Sequence, residues 1–208
     1  MNKLKFYTVV LLTALFSVAC NKDEDVTPGS MAFHAEMDAA MQKMEQGMAA
    51  VEMTMDPDVD FAHMMLPHHQ GSIDMSTIVL KYATHPELKE MAQKFIDGDT
   101  ESKARLQAFL DAHGAPAPSA GAEFKQEMEQ AMMKMNQNMK AYNMSNDPDY
   151  DFAETMTHHH QGAIDMSQIE LKHGKDQPAL NEAKMIIEHQ QKDIVDLGKF
   201  RNEHGQPR

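Results

Sequence analysis

Tryptophan is missing from the 208 residues, and cysteine occurs once, at Cys20. A single cysteine rules out an internal disulfide framework and any multi-thiolate metal cluster. Basic charge is scarce: 19 Lys and Arg face 32 Asp and Glu, giving a formal net charge of -13. Such a surface repels phosphate backbones, which argues against nucleic acid as a partner, and it suits the gathering of cations. Alternation with period two is nowhere sustained and β-branched residues are few, so a β-sheet has little to build on. There is no glycine-rich phosphate loop, and no Ser or Cys nucleophile stands beside a base in a recognisable spacing. Methionine, by contrast, is abundant, with 21 residues against 9 Phe. Thioethers are oxidisable, so something must favour them here.

The first residues read as an export signal. Lys3 and Lys5 precede an apolar stretch from Phe6 to Ala19 that is too short for a comfortable membrane span. The stretch ends SVAC, which resembles the lipidation box of bacterial lipoproteins, with Ser17 where Leu is commoner. The expectation is a signal over 1–20, a lipid on Cys20, and an acidic flexible tether, NKDEDVTPGS, over 21–30. An ordinary cleaved signal with a chance cysteine is the plainer alternative. With the lipid, the folded part would sit in the bacterial cell envelope, periplasmic or on the outer-membrane surface, touching the membrane through its N-terminal lipid alone.

The remainder is written twice. A shift of 91 residues carries Phe33 onto Phe124, Met37 onto Met128, DPDVDFA onto DPDYDFA and HHQGSIDMS onto HHQGAIDMS, and the register still holds at His113-Gly114 and His204-Gly205. Two repeats are expected, 31–113 and 122–208, joined by the Gly-, Pro- and Ala-rich linker 114–121 and forming one bundle domain. Each reads as three helices. The first covers about 31 to 52, where Met37, Met41, Met44 and Met48 fall within an arc of roughly 60°. The second opens with Asp56 as N-cap and Pro57 at the first helical position, matched by Asp147 and Pro148, and runs to about Tyr82. The third runs from near Pro86 to His113, with Gly114 as a left-handed C-cap.

On the second helix, Phe61, Met65, His68, Ser72, Met75 and Val79 share a face, with His69 about a quarter turn to the side. The copy presents Phe152, Met156, His159, Ala163 and Met166. A lone imidazole on an apolar face is usually a hydrogen-bonded core residue. Here Met and His recur together while neighbours drift, Leu66 to Thr157 and Ser72 to Ala163, and this favours metal ligands. Thioether and imidazole without thiolate suit Cu(I) or Ag(I); zinc gains little from methionine, and Ca, Mg or Mn would need oxygen donors in number. The stripe Met37, Met41, Met44 and Met48, with its copy Met128, Met132, Met135 and Met139, stays open between core filler and accessory ligands. Asp74 and Asp165 read as surface charges or as acceptors that orient an imidazole, and His113 and His204 as partners of helix-end carbonyls.

The segments DFAHMMLPHHQGSIDMS and DFAETMTHHHQGAIDMS resemble the paired HHxGAxxM segments of an exported bacterial family, that of domain of unknown function 305, grouped with ferritin-like helical bundles. The resemblance implies an all-α fold: a four-helix bundle from the second and third helices of each repeat, with an additional Met-rich helix preceding each half. Some members are Met- and His-rich periplasmic copper-binding proteins linked to copper resistance. Carried over by motif, Met65, His68, His69 and Met75, with Met156, His159, His160 and Met166, are the ligand candidates. Thr157-His158 departs from the pattern, which has an apolar residue and Pro there. The implied function is binding without catalysis: an envelope lipoprotein sequestering Cu(I) or Ag(I), with a copper exporter or chaperone as its receiving partner. The alternatives are a ferritin-like di-iron oxidase or storage protein and a metal-free helical interaction module. The di-iron reading needs Glu-x-x-His on two helices, but the pattern occurs at Glu170 to His173 and its counterpart is Val79 to Tyr82.

Overall fold

The computed structural model describes residues 27–205. The expected signal, Cys20 and most of the expected tether lie outside them. Six helices and no strand occur among the described residues: α1 Pro28–Ala49, α2 Pro57–Tyr82, α3 Pro86–His113, α4 Ala122–Ala141, α5 Pro148–His173 and α6 Gln177–His204. The all-α bundle expected from the sequence is the fold observed. None of these helices is long and apolar enough to cross a membrane.

Helix α1 differs from expectation at both ends. It begins inside the segment read as tether, because Thr27 Oγ1 accepts from Ser30 N at 3.1 Å and Pro28 occupies the first turn. It stops at Ala49 instead of near 52, because the chain beyond is drawn onto the Asp60 carboxylate, which accepts from Thr54 N at 2.7 Å and Met55 N at 2.9 Å. Met55 takes a positive φ of 67° there. Gly114 also has a positive φ, 83°, but with ψ of -144° it is extended and not the left-handed helical cap expected.

Helices α2 and α5 pack against each other at the centre; α3 and α6 flank them on one side, and α1 lies on α2 and α4 on α5. The core is one continuous cluster that includes Phe33, Phe61, Phe124, Phe152 and Phe200 with most of the methionines. Pro67 sits within α2 and packs on α1, where a Cβ at Gly47 would come 3.0 Å from the Pro67 ring. In the second repeat His158 takes that place and pairs with Glu154 at 3.4 Å.

The repeated DPDxDFA segment ties the halves together. Asp58 at the start of α2 accepts from Lys175 N and Asp176 N, at 3.0 and 2.8 Å, in the turn between α5 and α6. Reciprocally, Asp149 at the start of α5 accepts from Thr84 N and His85 N, at 2.9 and 3.1 Å, and from Thr84 Oγ1 at 2.6 Å, in the turn between α2 and α3. Asp147 caps α5 as expected, accepting from Asp149 N at 3.0 Å. Asp56 does not cap α2 with its side chain; it accepts from Ala117 N at 2.7 Å, holding the chain between α3 and α4. Asp149→Ala should therefore lower the unfolding free energy by about 2 kcal/mol, the scale of hydrogen bonds to a charged group. Urea denaturation is the check, with Asp58→Ala expected to behave alike.

Candidate metal centre

Where α2 crosses α5, the duplicated histidines meet. His68 and His159 are fully buried, and their ring centroids stand 3.8 Å apart at an interplanar angle of 36°. His159 Nε2 lies 3.2 Å from the His68 carbonyl oxygen. A carbonyl only accepts, so Nε2 carries the hydrogen and Nδ1 keeps its lone pair. That Nδ1 has no hydrogen-bond partner, and neither ring nitrogen of His68 has one. Leaving such atoms dry and unpaired costs about 1–3 kcal/mol each, so the arrangement is expensive unless something else uses the lone pairs.

Burial also fixes the charge state. It holds His68 well below the usual imidazole range, with the neighbouring His159 acting in the same direction. It pushes His159 down to about 3, reinforced by His160, and His160 to about 4. All three rings are therefore neutral, the form that coordinates metals.

Buried methionines accompany the histidines along both central helices. Met65, Met75, Met156 and Met166 are each fully buried, and helical spacing puts them on the faces that carry His68 and His159. Met44 of α1 rests on the α2 backbone at Gly71, where a Cβ would fall 2.5 Å from its sulfur; Met135 of α4 does the same at Gly162, at 2.4 Å. These glycines let a thioether approach within one helical turn of each central histidine. Of the methionine stripes, Met37, Met44, Met48, Met128, Met135 and Met139 are buried core, while Met41 and Met132 are half-buried.

His69 and His160 point elsewhere. Both line a cavity of about 170 Å³ between α3 and α6. His69 Nε2 is 2.8 Å from Ser102 Oγ, and Asp99 Oδ1 is 3.0 Å from His69 Nδ1, off the line of a good hydrogen bond. Ser102 donates to Glu182 at 2.6 Å, and Glu182 is held by Arg105 Nε at 2.6 Å. Burial alone would raise the Asp99 carboxyl, but His69 together with Ser72 and His160 holds Asp99 low. The contact order Asp99, His69, Ser102 is that of a hydrolytic triad, but the hydroxyl is not turned toward the imidazole as a donor. Ser102 gives its proton to Glu182, so His69 Nε2 is the donor in its contact with Ser102.

Asp99, Ser102, Glu182 and Gln190 are the site residues sequence reasoning missed. A signal was present: Leu88, Ala92, Phe95, Asp99, Ser102, Leu106 and Phe109 recur at spacings of four and three, so Asp99 and Ser102 occupy core positions. Of the two readings of Asp74 and Asp165, the surface charge is the one found: they pair with Lys43 and Lys134 at 2.6 and 2.7 Å and do not orient an imidazole. Other expectations need correction. His113 faces Asp176 at 3.1 Å, and His204 stacks on His85 at a centroid distance of 4.2 Å; neither serves helix-end carbonyls. Glu170 is buried against Asp58, whereas His173 pairs with Glu127 at 2.8 Å, so the Glu-x-x-His pattern does not converge.

Because the folded pKa values of His68, His159 and His160 lie below the unfolded value of about 6.5, each ring contributes stability that is full above that pH. The contribution is lost as pH falls below about 6.5 toward the folded values, about 4 for His160 and about 3 for His159, at ~1.4 kcal/mol per pH unit per ring for those two; His68 acts in the same direction. Glu170, which burial and then Asp58 raise to about 9, works in the opposite sense: its contribution is full below about pH 4.5 and lost as pH rises through 9. In the metal-free protein, nitrogen-resolved NMR should find these three imidazoles neutral at about pH 5.5. A ring among them titrating near 6.5 contradicts the burial described.

The sequence profile of the family described as "Domain of unknown function (DUF305)" matches residues 58–201, which include both histidine segments. The crystal structure of a DUF305 fragment from Deinococcus radiodurans is similar in fold, with a TM-score of 0.54 at 20% identity, covering 71% of this chain and 96% of that one. No curated protein matches the sequence. With the greater part of its length matched by the family profile, the chain belongs to the DUF305 family.

Proposed function

We propose that the protein binds soft monovalent metal ions, Cu(I) and Ag(I), at the α2–α5 crossing, and that it sequesters them in the cell envelope as a lipoprotein anchored through Cys20. The observation that carries this reading is the stacked pair His68 and His159: fully buried, kept neutral, and lacking hydrogen-bond partners at His68 Nδ1, His68 Nε2 and His159 Nδ1. A core histidine with only a structural role would satisfy at least one ring nitrogen; His68 satisfies neither, and His159 spends Nε2 on the His68 carbonyl while its Nδ1 stays free. Lone pairs withheld from every protein donor, in a core dense with thioethers, suit a soft ion that binds imidazole and sulfur together.

Met65, Met75, Met156 and Met166 are the nearest thioethers along the helix faces, and Met44 and Met135 reach the same level from α1 and α4. Thioethers carry no proton to lose, so they keep binding in an acidic compartment where exposed imidazoles are protonated. The charge of -13 would concentrate cations near the surface. A copper exporter or chaperone is the class of partner that would take the ion onward.

Anaerobic titration with Cu(I) and Ag(I), read by native mass spectrometry, should show uptake by the wild-type protein. In His68→Ala/His159→Ala the affinity should fall by about a hundredfold or more, the scale seen when even a group supporting a ligand is removed, with helicity largely kept. Equal affinity in the double variant contradicts the site. Iron uptake with oxygen consumption would instead favour the di-metal oxidase.

A further inference from the structure

His68 and His159 are sealed from solvent, so an ion that reaches them must pass between helices. Two cavities differ in what they offer a soft ion on the way. The one between α3 and α6 is walled by nitrogen and oxygen, and the cations Lys94, Arg105 and Lys192 stand around it. A pocket of about 180 Å³ between α1 and α4 has sulfur in its wall instead, from Met41, Met44 and Met139. Thioethers are the donors that Cu(I) and Ag(I) prefer.

These side chains are graded in depth. Met41 is half-buried, whereas Met44 and Met139 are each 3% exposed. Met44 also reaches inward: its sulfur rests on α2 at Gly71, one helical turn beyond His68, where a Cβ would fall 2.5 Å from it. One side chain thus touches both the pocket and the helix that carries the central imidazole. Asp38 and Glu45 line the opening with Lys140, which pairs with Glu45 at 2.6 Å. The charges around the opening therefore sum to a negative value, which draws cations in.

The duplication does not repeat this pocket. Met132 and Met135, the copies of Met41 and Met44, do not line it, although Met132 is half-buried like Met41 and Met135 rests on Gly162 as Met44 does on Gly71. The ion pair across the groove is likewise single: the places equivalent to Lys140 and Glu45 hold Ala49 and Asn136.

We propose that the pocket between α1 and α4 is the port by which a soft monovalent ion enters the core, with Met41 taking it from solvent and Met44 passing it toward the α2–α5 crossing. The port rests on the reading of that crossing as the binding site. Each step exchanges one ligand for another, water for the Met41 sulfur and then that sulfur for the one of Met44, with the ion's charge and oxidation state unchanged. Met41 is a positioning residue on the route and not a ligand at its end. Its loss raises the barrier equally in both directions and leaves the equilibrium alone.

Anaerobic stopped-flow mixing of the full chain with the coloured Cu(I)–bicinchoninate complex reports uptake as loss of colour; excess bicinchoninate added to the loaded chain reports release. Met41→Leu, which nearly conserves volume, should slow uptake and release alike by about tenfold or more, with the dissociation constant unchanged. Met132→Leu, the same change at the copy, should leave both rates as in the wild type. So should Gly98→Phe, which obstructs the cavity between α3 and α6 from a position where an added Cβ meets no atom within 4 Å. The port is overturned if the wild-type chain takes up Cu(I) and Met41→Leu keeps its rates, if Met41→Leu weakens the affinity itself, or if Met132→Leu or Gly98→Phe slows uptake as much. A wild-type chain that takes up no Cu(I) overturns the crossing as the binding site, and the port with it.

Discussion

The structure depends on two uncharged imidazoles stacked in the buried centre of the crossing between α2 and α5. Burying either ring as a cation would be prohibitive, so the core enforces neutrality, and neutrality gives the nitrogens their lone pairs. One hydrogen bond, from His159 Nε2 to the His68 carbonyl, fixes one tautomer and locks the second repeat's histidine onto the first repeat's backbone. Closeness at this point requires small residues around it. Gly71 and Gly162 allow Met44 and Met135 to lie on the central helices, and the crossed clasps of Asp58 and Asp149 hold the two halves in register.

Around that symmetric centre the flanks have diverged. The α1 and α4 side is rich in sulfur and almost wholly apolar inside, with Phe33, Phe124 and the buried methionines filling it. The α3 and α6 side carries acids, amides and hydroxyls at positions that would otherwise complete an apolar stripe. Duplication thus offers two chemistries on opposite sides of one pair of helices. Each central helix turns its first histidine onto the other central helix and its second toward α3 and α6, because adjacent residues on a helix point about 100° apart.

Much of this was legible in the chain, for identifiable reasons. The starts of α2 and α5 follow from Asp-Pro pairs, since proline presets the first turn and lacks the N–H that would be left unpaired there. The pairing of His68 with His159 was foreshadowed by repetition, because the same residues kept at a 91-residue shift occupy equivalent places in a pseudo-symmetric bundle. What escaped was long-range. Asp56, Asp58 and Asp149 look like helix-start acids, and only the packing of the halves shows that they grip turns far away in sequence. The separation of His160 from His159 was visible on a helical projection, but the acidic cavity it faces depends on how α3 and α6 dock. Helix α1 was misplaced because Thr27-Pro28 marks its start without any apolar periodicity before it.

The central claim is that the nitrogens of His68 and His159 are ligands held ready by burial. Long-range nitrogen–proton NMR correlation of the side-chain imidazoles, recorded before and after one equivalent of Ag(I), tests it most directly. The account predicts large shifts at His68 and at His159 Nδ1, with His159 Nε2 keeping its proton. Shifts confined to surface histidines, with these two rings unmoved, would contradict it.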